Sequence, residues 1–281
     1  MEGALRAVGQ KFASVGADNP RSNSFGAINF RLQRQLCSYS KKDDPPSRVK
    51  PVPVQALSHA LDLAHAHGHV ESLAVSHMIC IGFYFLMRPG KHTTPTGDSK
   101  PFRLINVEFM IGHTRYNGHT IPIDRLPLVT FTLLIFTDQK NGVRGKKIGH
   151  GPSGHSCFYA VEALIHRVRH LRANNAPGDT PLCTYFVNNL ARFVSSQDIT
   201  TTLRASVAIL GPNALGFSPD EVSARSLCAS GAMALLCGGV DSSIVQLVGR
   251  WRSDSMLRYL HLQAFPIMDG LASKMLSGGQ F

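Results

Sequence analysis

The chain has few of the features that would assign it quickly. Its six cysteines, at 37, 80, 157, 183, 228 and 237, include no CxxC pair and follow no regular spacing. They read as reduced, mostly buried thiols of an intracellular protein rather than a disulfide framework. Long apolar runs are missing. The longest, Met78 to Met87, has ten residues with Gly82 inside it, about half of what crosses a bilayer, so it reads as a buried helix and no membrane partner is expected. The opening MEGALRAVGQ lacks the apolar core of a signal peptide. Acidic residues are scarce: 18 Asp and Glu face 29 Lys and Arg, a formal charge of +11. A balance of that sign points to a polyanion, nucleic acid rather than membrane. What is present suffices for a real core, with 43% apolar residues in 281.

Residues 1–51 form a basic arm, nine Lys or Arg against four acids, with turn formers at Asp18-Asn19-Pro20 and Asp43-Asp44-Pro45-Pro46. One short helix is expected within Ile28 to Leu36. Four prolines between Lys41 and Pro53 mark a linker. Residues 52–281 read as one domain. Val54, Leu57, Leu61 and Ala64 recur at helical spacing before Gly68. Glu71 to Met87 predicts a second helix, ended by Arg88-Pro89-Gly90, because a residue before proline is pushed out of helical geometry. Strands are expected over Phe102 to Met110 and Thr130 to Thr137. A turn through Asn141-Gly142 and a return strand, Val143 to Ile148, follow. Lys140, Arg144, Lys146 and Lys147 lie on or near that hairpin tip. Helix resumes over Phe158 to Asn174, and past a loop at 177–181 the remainder reads as helical. The expected class is α+β, mainly helical, with a small antiparallel three-stranded sheet.

The most informative stretch is Ser218 to His261. Ser218-Pro219-Asp220-Glu221 has the pattern of a helix start, and an Ala- and Leu-rich helix then stops at Gly238-Gly239. Asp241 caps a further helix, Gly249-Arg250-Trp251 follows, and a third short helix carries Arg258 and Tyr259. Arg225, Arg250, Trp251, Arg252, Arg258 and Tyr259 are thus delivered by three short elements.

This stretch resembles the C-terminal half of the catalytic domain of the tyrosine recombinases (phage-type integrases). It is most similar to the branch found in tyrosine-recombinase retrotransposons of eukaryotes. Gly249, Trp251 and Tyr259 match the family's Gly, His or Trp, and nucleophilic Tyr. Arg88 in YFLMRPG fits its first catalytic Arg, at the end of an apolar helix before a small sheet. Lys140, in FTDQKNGVRGKK, fits its hairpin Lys, with Lys146 as second choice. The resemblance implies duplex DNA as partner, room for a homo-oligomer on that DNA, and nuclear residence in a eukaryote. It makes residues 1–51 the remnant of an N-terminal DNA-clamping domain.

The chemistry it implies needs no metal, nucleotide or other cofactor. Phosphoryl transfer is mostly positioning and charge stabilisation. Tyr259 would attack, Arg88 and Arg225 hold the non-bridging oxygens, Lys140 protonate the leaving oxygen and Trp251 donate its indole N–H. Arg250, Arg252, Arg258 and Arg144 are expected on neighbouring phosphates. The departure is Cys228, which stands where the family has its second Arg, while Arg225 stands at its His position. A thiol cannot replace a bidentate cation, and losing an Arg from such a site costs on the order of 10³–10⁵ in rate. Lys91 adds a mismatch where the family often has Glu. The expectation is therefore a pseudo-enzyme of mobile-element origin that keeps DNA affinity. A non-catalytic nucleic-acid-binding or protein-interaction domain is the rival.

Each residue also has a plain structural reading. Arg88 suits a helix C-terminus, Lys140 a solvated turn, Trp251 a core, and Tyr259 a half-buried aromatic. Gly149-His150-Gly151-Pro152-Ser153-Gly154 matches a dinucleotide fingerprint in spacing, but Pro152 is wrong for a phosphate turn and the segment before it is too polar for a buried strand. It reads as a loop before a helix. His65, His67 and His69 alternate and so do not share a helix face, and no Cys or acid stands at ligand spacing, so no metal is expected.

Overall fold

The computed structural model describes residues 2–22, 28–34, 49–94, 100–137, 145–154 and 159–251. Two compact units divide between Arg48 and Val49. The first holds α1 (Glu2–Ser14) and α2, helical at 30–34, with one bridge between Ser22 and Ile28.

The second unit is built round an apolar helix. α3 (Val54–His67) ends where Gly68 turns left-handed and closes onto Ala64 O. α4 (Val70–Tyr84) is buried at every residue from Ala74 to Phe83. A helix so enclosed needs partners on all sides. The helices among them are α3, α5 (Ala160–Ala173), α6 (Ser196–Leu210) and α8 (Ser226–Cys237), and the strand Thr184–Val187 packs on it as well. α7 (Pro212–Leu215) and α9 (Ser242–Gly249) complete the helices described. The approach segment docks here too: Val52 is buried and its N–H donates to Ser230 Oγ at 2.7 Å. Among the described residues no helix is long and apolar enough to cross a membrane.

The unit is mainly helical α+β, with antiparallel sheets. The main sheet has four strands in the order β2-β1-β3-β4 rather than three: β1 Val107–Ile111, β2 Thr114–Asn117, β3 Phe131–Phe136 and β4 Lys146–His150. β2 was unforeseen because its four residues carry no apolar alternation. Gly149 and His150 lie in β4, opposite Leu133 and Thr132, not in a loop. Gly149 is required there, since a Cβ would stand 2.3 Å from the Phe131 ring. A second hairpin, β5 (Thr184–Val187) with β6 (Leu190–Phe193), replaces expected helix. Asn188 and Asn189 turn it, both at positive φ (51° and 63°).

Three element ends also shift. The strand expected from Phe102 begins at Val107, because Arg103 N–H donates to Asn106 Oδ1 and winds Leu104–Asn106 into a 3-10 turn. The capping box at Ser218 forms, yet it caps only the single 3-10 turn Pro219–Glu221. Val222 then runs extended, its carbonyl held by Arg204 Nε at 3.1 Å, and α8 starts at Ser226. α4 stops at Tyr84, three residues short of Met87.

Candidate functional site

The early end of α4 creates the site. Past Phe85 the backbone turns left-handed at Leu86 (φ 48°), and Arg88 leaves extended (φ −76°, ψ 148°) ahead of Pro89. Arg88 is therefore in the segment after the helix rather than on its last turn. Its side chain is exposed and has no hydrogen-bond or ion-pair partner among the described residues. Its carbonyl faces Nδ1 of fully buried His92 at 3.2 Å.

α9 delivers the opposite wall. Asp241 caps it, Oδ1 accepting from Ser243 N–H at 2.7 Å. At its far end Gly249 leaves space for the Trp251 indole, which would lie 1.9 Å from an added Cβ. Arg250 takes a left-handed turn (φ 59°, ψ 33°), and Trp251 packs with Leu86, Cys228, Ala232 and Val245. Trp251 is 9% exposed, so most of the indole serves packing.

Arg250 reaches back across the gap. Its Nη1 donates to Phe85 O at 3.1 Å and Val248 O at 2.8 Å. Its Nη2 donates to Phe85 O and Leu86 O, both at 3.1 Å. The guanidinium lies 3.8 Å over the Phe136 ring. Cys228, buried on α8, donates its S–H to the same Leu86 O at 3.3 Å. From β4, Lys146 Nζ donates to Leu247 O at 3.0 Å, on the carbonyl end of α9 where a cation is favoured.

The charges act on one another. Burial lowers the Arg250 pKa to about 10, the Cys228 thiol opposes this and Arg88 adds to it. Burial raises the Cys228 thiol to about 11 against the pull of Arg250 and Arg88, so it stays neutral. Lys146 is lowered by desolvation and then by Arg250. Arg88, Arg250 and Lys146 therefore share a region, with Cys228 and Trp251 beneath.

Arg225 is exposed at the N-cap of α8, one turn before Cys228, and its side chain makes no hydrogen bond or ion pair among the described residues. Lys140, Arg144, Arg252, Arg258 and Tyr259 lie outside the described residues. Lys147, next to Lys146, is taken by Glu108, both carboxylate oxygens at 2.8 Å. Among the described residues no cluster of three or more His, Cys, Asp or Glu could hold a metal ion. The histidines pack as rings: His77 stacks on His166 at 4.9 Å and meets His65 edge-on at 6.1 Å.

Sequence reasoning missed Leu86, which carries no local sign of a left-handed turn. It named Arg250, but as a phosphate contact, whereas the guanidinium folds back onto backbone carbonyls.

No protein-family model matches the chain, and no curated protein does. Solved structures are similar to it. The XerA recombinase is 13% identical, with 85% of this chain and 66% of that one covered and a TM-score of 0.44. The Tn1549 transposon integrase in complex with transposon right-end DNA is 14% identical over 98% of this chain and 78% of that one, TM-score 0.42. The same integrase in complex with circular-intermediate DNA is 12% identical over 88% and 74%, TM-score 0.39.

Proposed function

We propose that the second unit is a tyrosine-recombinase-like domain of mobile-element origin that grips the backbone of double-stranded DNA and is impaired in strand transfer. The observation that carries this reading is the convergence of Arg88, Arg250 and Lys146. Cations act on one another here: Arg88 acts on Arg250, and Arg250 on Lys146. Folding gains nothing by collecting like charges, so an anion of the ligand is the natural complement. A phosphodiester fits exposed Arg88, whose planar fork matches two non-bridging oxygens.

In strand transfer, the Tyr259 hydroxyl would lose its proton to solvent as its oxygen bonds to phosphorus, the bond to the 5′ oxygen would break, and that oxygen would leave with a proton from a lysine. Of the two candidate lysines, Lys146 is the one among the described residues, and desolvation and then Arg250 lower its pKa, which eases release of a proton. Cys228 supplies neither charge nor a fork, which is the ground for impaired chemistry. In this reading residues 1–51 are a basic DNA-clamping arm, and the protein works inside the cell, in the nucleus of a eukaryote.

The test is fluorescence anisotropy with a duplex oligonucleotide over a salt series. Affinity should fall steeply with salt, and Arg88→Ala should lower the slope by about one. A flat salt response would remove the DNA reading. Trapping of a Tyr259–DNA adduct on a nicked duplex by the unaltered protein would overturn the impairment.

A further inference from the structure

Two strained residues meet across the site. Five non-glycine residues among those described have positive φ, and three of them are Asn175, Asn188 and Asn189, a residue type that tolerates this geometry. The other two are Leu86 and Arg250, which have no such tolerance. They are hydrogen-bonded to each other through Arg250 Nη2 and Leu86 O. Glycine would relieve either backbone. At position 250 it would also remove the side chain that ties Phe85 and Leu86, at the end of α4, to Val248 in α9.

We propose that Arg250 is a positioning residue for Arg88 rather than a phosphate ligand. Among the described residues its Nη groups donate four hydrogen bonds to three backbone carbonyls, so the fork is committed to protein. The clamp fixes the carbonyls of Phe85 and Leu86 and with them the left-handed turn, and Arg88 follows two residues later. Cys228 belongs to the same device: its small buried thiol donates to Leu86 O and leaves the guanidinium its space. The left-handed turn at Arg250 aims the side chain back over Phe136 instead of out to solvent.

The inference rests on the reading of Arg88 as a phosphate contact, and a double-mutant cycle separates the two. Duplex affinity and salt slope are measured for the unaltered chain, Arg88→Ala, Arg250→Met and the double variant. Arg88→Ala should weaken binding about tenfold. Arg250→Met should come close to that loss, and the double variant should bind no worse than Arg88→Ala alone, because Arg250 acts only through Arg88. Losses that multiply, or an Arg250→Met that binds like the unaltered chain, overturn the proposal. Arg250→Lys guards against a variant that fails to fold. One ammonium cannot bridge the same carbonyls, so it should behave like Arg250→Met in affinity while keeping the charge. If Arg88→Ala binds normally, the phosphate reading fails, and hydrogen exchange over residues 86–92 decides the clamp by itself. Faster exchange in Arg250→Met supports it; unchanged exchange overturns it.

Discussion

Gly231→Ala should destabilise the protein, although helix propensity argues the reverse. Within a helix Ala is favoured over Gly by about 1 kcal/mol, and Gly231 lies inside α8. Its missing side chain, however, is where α8 crosses α4. A Cβ there would stand 2.3 Å from Phe83 O and 3.2 Å from Leu86 Cδ1. An ordinary C···O contact is about 3.3 Å, so the helices would have to part by roughly 1 Å. The obstacle is a backbone carbonyl, which has no rotamer to yield. Parting would also loosen the Cys228 bond to Leu86 O and the packing of Leu227 on Gly82. Overpacking of this kind costs about 1–3 kcal/mol and sometimes more. Allowing for the propensity gain, a net loss of about 1 kcal/mol is expected, or roughly 2–4 °C in Tm for a domain of this size. Urea and thermal unfolding measure it. A Tm at or above that of the unaltered chain would refute the close approach of the two helices.

Acid should weaken the fold. Burial holds His92 down to about 4, with the Arg88 carbonyl pulling upward, whereas an unfolded histidine titrates near 6.5. The unfolded chain therefore takes up the proton first: stability is intact above about pH 6.5 and is lost as pH falls toward 4, by about 3 kcal/mol from this one residue. His77, both of whose ring nitrogens are buried without a partner, and His170 add in the same direction. Urea unfolding at pH 7.5 and 4.5 reads the difference, and equal midpoints would rule it out. Arg167→Ala should cost about 3–5 kcal/mol. Arg167 is 2% exposed and donates to Leu182 O and Thr184 O, which would both lose this donor. A loss below about 1 kcal/mol in the same assay would mean that water or a neighbour takes over those carbonyls.

The body of each long element could be read from periodicity, because burial of one face is a local pattern: Val54, Leu57, Leu61 and Ala64 mark α3 before any neighbour is known. Where an element stops was harder to read, since a distant partner can decide it. In YFLMRPG nothing before Pro89 opposes helix, so the end fell naturally at Arg88. The helix stops earlier: Pro89 offers no N–H to Phe85 O, and Arg250, 164 residues away from Leu86, donates to the carbonyls of Phe85 and Leu86 instead. The same contact explains why the site was only partly legible. Residue type and spacing can bring several cations to one region, but cannot say which of them will be used up on backbone carbonyls and which left for a ligand. That division depends on where the carbonyl ends of α4 and α9 meet. It turns Arg250 inward, leaves Arg88 outward, and gives Cys228, which in sequence reads as a missing charge, a place in the clamp behind them.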